Sequence, residues 1–101
     1  MIKQGRKISP NDLIPVTFTL EQRDLLLGHT PGSVPVASLI DETFRAGVVR
    51  GDTVVVKMQL FEIEDLLGCI AFESRHNKNR RIVHALDEIY YPLDALFDAH
   101  R

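Results

Sequence analysis

The sequence predicts an α+β domain, mostly helical, with two short strands and about four helices. The third and fourth helices fold back on each other as an antiparallel hairpin. Three observations carry this. Ile63, Leu66, Leu67, Ile70, Ala71 and Ser74 fall on one stripe at the 3.6-residue period of a helix. Ile82, Leu86, Ile89, Leu93 and Leu96 repeat at spacings of four, three, four and three, the seam of a helix that packs on another helix. Two further runs, Ile14 to Phe18 and the β-branched Thr53 to Met58, suit strands. At 101 residues the chain makes one domain, expected over residues 14–101 behind a flexible N-terminal arm of residues 1–13.

The elements follow in order. The first strand turns straight into a helix at Thr19, whose hydroxyl caps free N–H groups while Gln22, three residues on, reaches back to close a capping box. Leu20, Leu25, Leu26 and Leu27 form the apolar face of that helix. Gly28 suits the left-handed exit position, and Pro31 blocks continuation. After the loop 30–33, Ser33 is expected to cap a second helix that carries Val36, Leu39, Ile40 and Phe44 and ends at Gly47. Val48-Val49 leads to a turn at Arg50-Gly51-Asp52, and the second strand follows. The third helix is expected to be central, because Phe61 and Phe72 mark a second apolar flank. Asn77 and Asn79 lie in a polar turn where both tolerate left-handed geometry. The fourth helix starts near Arg80. Pro92 is expected to kink or break it near Tyr90-Tyr91, leaving a terminal piece to about Ala99. An internal echo at an offset of forty residues aligns Val16 to Leu20 and Leu26-Leu27-Gly28 with Val56 to Leu60 and Leu66-Leu67-Gly68. It predicts that the two strands pair side by side.

Composition narrows the function classes. Apolar residues at 45% and charged residues at 26% exclude a disordered tail. No apolar run is long enough to span a membrane, and residues 1–5 lack the apolar core of a secretory signal. The single cysteine, Cys69, makes no internal disulfide, so a reducing cytoplasm is the expected compartment. A net charge of −2 gives no global attraction to nucleic acid or anionic lipid. Two local basic stretches stand out. One holds Lys3, Arg6 and Lys7, the other Arg75, Lys78, Arg80 and Arg81, and neither contains an acid.

The run from Val54 through Leu66-Leu67-Gly68 and Glu73-Ser74-Arg75-His76-Asn77-Lys78 to Asp87 resembles a small uncharacterised bacterial domain. That domain is also found attached to proteins of the plasmid open-reading-frame-three type. Phe18 to Leu27 is similar to its opening, so the likeness spans about residues 16 to 97. The sequence departs from the pattern at Cys69, Phe72, Arg75 and Asn79. The resemblance implies a bacterial cytosolic protein and carries no activity, so it assigns no functional residue. It does draw attention to Glu73, His76 and Lys78.

Three kinds of chemistry are weighed on the residues themselves. Glu73 and His76 lie one helical turn apart, and a hairpin across 76–79 brings His84 toward them. A set of Glu73, His76 and His84 would take zinc or iron, although no cofactor is predicted for the chain. Arg75, Lys78, Arg80 and Arg81, with the free N–H groups that start the fourth helix, suit phosphate and so nucleic acid. No aromatic is interleaved there for base stacking. Cys69 has no basic neighbour one turn away and reads as an inert thiol. His29, Asp41 and Glu42 have no ligand spacing, and Gly28 to Ser33 lacks the lysine of a P-loop. Tyr90, Tyr91 and Phe97 are core if buried and a contact patch if exposed. No catalytic constellation emerges. The reading is a non-catalytic binding or regulatory module that acts through helix faces, with a protein partner or a second copy of itself. Nucleic-acid binding through residues 75–81 is the alternative, and a metal-dependent enzyme at Glu73, His76 and His84 is the third.

Overall fold

The computed structural model of the protein describes residues 12–29, 32 and 34–101. In chain order, β1 (Ile14–Thr19) runs into α1 (Leu20–Leu26). A single 3-10 turn (Ser38–Ile40) then leads into α2 (Asp41–Arg45). The strands β2 (Val48–Arg50) and β3 (Thr53–Met58) follow, and the chain closes with α3 (Leu60–His76) and α4 (Arg80–His100). The expected class is what the chain adopts: α+β, mostly helical, with α3 and α4 packed as adjacent antiparallel rods. The expected N-terminal arm lies outside the described residues, apart from Asp12 and Leu13, which belong to no helix or strand.

The sheet is antiparallel in the order β1-β3-β2. Val16 and Val56, equivalent positions in the forty-residue echo, are direct register partners. A local two-fold axis through that pair therefore relates β1 to β3. The junctions match as well. Gln22 and Thr19 exchange bonds of 2.9 and 3.0 Å, and forty residues on the Glu62 carboxylate accepts the Gln59 N–H at 2.8 Å. Along β1 every second residue is buried, which puts Ile14, Val16 and Phe18 on the core face. Val54, Val56 and Met58 of β3 join them. Leu26, Phe44, Ile63, Leu66, Ile70 and Leu86 close the core from the helical side.

The sheet has one strand beyond the two expected. Val48 and Val49, read as a lead into a turn, pair with β3 as β2. Gly51 sits first in the two-residue loop with φ of 63°, the pattern of a type II′ hairpin turn. The second helix is shorter and later than expected. The N–H groups of Val36 and Ala37 both donate to Leu26 O, at 2.9 and 3.0 Å. That pins the segment to the end of α1, so no helix begins before Ser38. The proposed cap Ser33 and the stop at Pro31 lie outside the described residues. Gly28 does take the left-handed exit, with φ of 79°, and a Cβ there would meet Pro35 Cγ at 2.7 Å.

Two expectations about the hairpin are corrected. No described residue other than glycine has positive φ, so the asparagines do not use left-handed geometry. Asn77 and Asn79 are extended instead, with ψ of 132° and 110°, and turn the chain through side-chain bonds. Pro92 does not break α4, which runs unbroken from Arg80 to His100. Pro92 and Glu88, whose carbonyl loses its helical donor, are both exposed residues, so the lost bond falls on the solvent side of the helix. Among the described residues no helix is long and apolar enough to cross a membrane.

Candidate functional site

The hairpin of α3 and α4 carries nearly every residue singled out above. Its elbow is a chain of hydrogen bonds. Asn77 Nδ2 donates to Glu73 Oε2 at 2.7 Å, and the Asn79 N–H donates to Asn77 Oδ1 at 2.7 Å. Asn79 Oδ1 in turn accepts from the N–H groups of Arg81 and Ile82, at 3.0 and 3.4 Å. Each link satisfies a backbone or side-chain group that a sharp helix–helix turn would otherwise leave open. Below the elbow, Ser74 Oγ donates to Asp87 Oδ1 at 3.0 Å and ties the two helices together.

The structure gives Glu73, His76 and His84 separate partners. Glu73 holds the elbow through Asn77. His76 Nδ1 donates to Phe72 O at 2.8 Å, and its ring stacks on Phe72 with centroids 4.2 Å apart. His84 points outward and pairs with Glu88 at 3.3 Å. The reason lies in the seam. Ile82 and Leu86 face α3, and a residue two positions from each lies on the far side of the helix. Among the described residues no three His, Cys, Asp or Glu side chains gather to hold a metal. Asp41 is engaged by Arg45 at 2.6 Å, while His29 and Glu42 are exposed elsewhere.

Arg75, Lys78, Arg80 and Arg81 are all exposed, and none makes an ion pair with a described residue. The amide cradle expected beside them is not free, because Asn79 already occupies the N–H groups of Arg81 and Ile82. Three clefts border the hairpin. The first, about 640 Å³, is lined by Gln22 and by His84, Asp87, Glu88, Tyr91 and Pro92 of α4. Two others are smaller. One, about 290 Å³, sets Ala71, Ser74 and Arg75 of α3 opposite Asp87, Tyr90 and Tyr91 of α4. The other, about 410 Å³, lies between the outer strand β1 and Ile89, Leu93 and Leu96 of α4. Pro15 blunts that strand edge, since it offers no N–H to an added strand.

The outer face of α3 is the surface that the sequence reading misplaced. Phe61 and Phe72 were expected under a covering layer; they are 55% and 63% exposed. Glu64, Asp65, Gly68, Arg75 and His76 are exposed with them. At about 100° per residue these positions share one arc of roughly 120°. The signal was present: two acids, a glycine, an arginine and a histidine share that arc with the two phenylalanines. Tyr91 is 67% exposed, whereas Tyr90 and Phe97 pack partly against the core. Cys69 is half-buried at the margin of this face, and burial first, then the charge of Asp65, pushes its thiol pKa up. A raised pKa leaves less thiolate at neutral pH, in line with the absence of a basic neighbour one turn away.

No protein-family model matches the chain, and neither a curated protein nor a solved structure matches it.

Proposed function

We propose that this chain is a non-catalytic binding or regulatory module that acts through its helix faces, with the outer face of α3 as the contact surface. One observation carries this reading: two phenylalanines, 55% and 63% exposed, share one arc of a helix whose opposite stripe is fully used by the core. Full burial of such a side chain contributes about 1.5–3 kcal/mol, and the exposed half or more of each residue is the share a partner recovers. Aromatic residues also dominate the energetics of protein interfaces. The single cysteine fits a reducing compartment such as the cytoplasm.

Native purification of the chain is the test, recording bound protein, nucleic acid and metal together. A Phe61→Ser/Phe72→Ser variant, shown by circular dichroism to be folded, runs beside it. The expected result is a protein complex, homomeric or heteromeric, that the variant loses. A wild-type chain that elutes alone as a monomer, or a complex indifferent to the substitutions, overturns the reading.

A specific observation favours nucleic acid as the second reading: four cations project from the elbow without an ion-pair partner among the described residues. If each met one phosphate, affinity for duplex DNA would fall with a log–log salt slope of roughly −3 to −4. Replacing Arg80 and Arg81 by Ala would abolish any mobility shift, and an unchanged shift rejects the assignment.

A further inference from the structure

The geometry points to a second copy of this chain as the occupant of the α3 face. The copies dock antiparallel about a two-fold axis level with residue 70, so that Phe72 of each seats over Gly68 of the other. This rests on the reading of α3 as a contact surface and names its partner.

The face is self-complementary in shape. Gly68 is exposed in mid-helix, and a Cβ built on it meets nothing within 4 Å. It is a notch in a surface whose most prominent side chain, Phe72, stands one turn away. Phe61, Gly68 and Phe72 lie within roughly 40° on the helix. Gly68 and Phe72 are symmetric about residue 70, so a single two-fold axis fills both notches with both rings. An isologous contact needs this property: one patch carries both the knob and the hole.

The charges select the direction. Glu64 and Arg75 lie on one flank of the aromatic stripe, Asp65 and His76 on the other. In an antiparallel pair each flank meets the same flank of the partner, read backwards. The register that seats Phe72 sets Glu64 beside the partner's Arg75 and Asp65 beside the partner's His76, and symmetry makes each pair twice. Parallel docking in register would set acid against acid. Glu64, Asp65 and Arg75 make no ion pair within the chain among the described residues, so they are available for this. Residues 64–76 overlap in this register, about 20 Å of helix. One helix face is at the small end of specific interfaces, so association in the micromolar range is expected.

The experiment is sedimentation equilibrium of the full chain over about 1 to 500 µM. A Cys69→Ser background excludes a disulfide dimer. The expected result is a reversible dimer that Phe72→Ala weakens at least tenfold, roughly the effect of losing an aromatic anchor. Glu64→Arg and Arg75→Glu each weaken it alone, and the two together restore it. Gly68→Leu fills the notch and abolishes the dimer; leucine is the better helix former, so the monomer stays folded. A dimer indifferent to these substitutions overturns the α3 register. A monomer throughout, whose heteromeric complex still depends on Phe61 and Phe72, overturns self-pairing and leaves the contact surface standing. A monomer with no such complex overturns both.

Discussion

At the scale of single residues, the elbow depends most on Asn79. Its side-chain oxygen satisfies two amides at the start of α4, and its own N–H reports back to Asn77. Asn79→Ala is expected to cost about 1 kcal/mol, measured by urea unfolding, and Asn79→Asp to retain most of it. Equal losses for both would mean that the cap contributes nothing. Cys69 gives a second test. Its folded pKa is raised, so the thiolate forms at higher pH in the folded chain than in the unfolded one. The alkylation rate should rise with pH along a curve displaced upward from that of the urea-unfolded chain. Asp65→Asn should bring the curve part of the way back, because burial, the larger cause, remains. A curve that Asp65→Asn leaves in place would remove the carboxylate from the account. The Thr19 cap and the Gly28 exit could be read from the sequence because each rests on contacts within a few residues. Asn79 carries a local signal too, since an asparagine directly before a helix favours the N-cap, but it was expected as a left-handed turn residue, with the amides it caps assigned to an anion.

At the scale of elements, periodicity located both long helices and both long strands. Those signals are strong because a buried stripe must recur at every turn of a helix. They fail where one element is fixed by another. α2 begins late because Leu26 O takes the amides of Val36 and Ala37, a contact across a loop. β2 is three residues long and exposed, so it exists only through its pairing with β3. α4 passes through Pro92 because its seam with α3 outweighs one lost bond. Pro92→Ala should therefore stabilise the protein by about 1–3 kcal/mol, since it returns a donor to the Glu88 carbonyl and removes a poor helix former. Loss of stability would show that the ring packs in a way a methyl group does not replace. The site candidates divide along the same line. Exposure of the basic elbow was legible from its composition. His84 was misjudged although the seam residues Ile82 and Leu86 already place it on the far side.

At the scale of the whole molecule, one core joins sheet and hairpin. Ile70 of α3 and Leu86 of α4 are 0% and 1% exposed, against Val56 and Met58 at 0%. Leu86→Ala is expected to cost about 2–5 kcal/mol, a large share of the 5–15 kcal/mol available to a domain. A loss below about 1 kcal/mol would mean that the hairpin is only loosely attached to the sheet. The core is shared between distant parts of the chain, and the pairing of β1 shows what that entails. Among the described residues the only strand that β1 pairs with is β3, about forty residues downstream. During synthesis a ribosome releases β1 and α1 well before β3 leaves the exit tunnel. The nascent N-terminal half therefore waits with Ile14, Val16 and Phe18 without their strand partner, and the sheet closes only when β3 emerges.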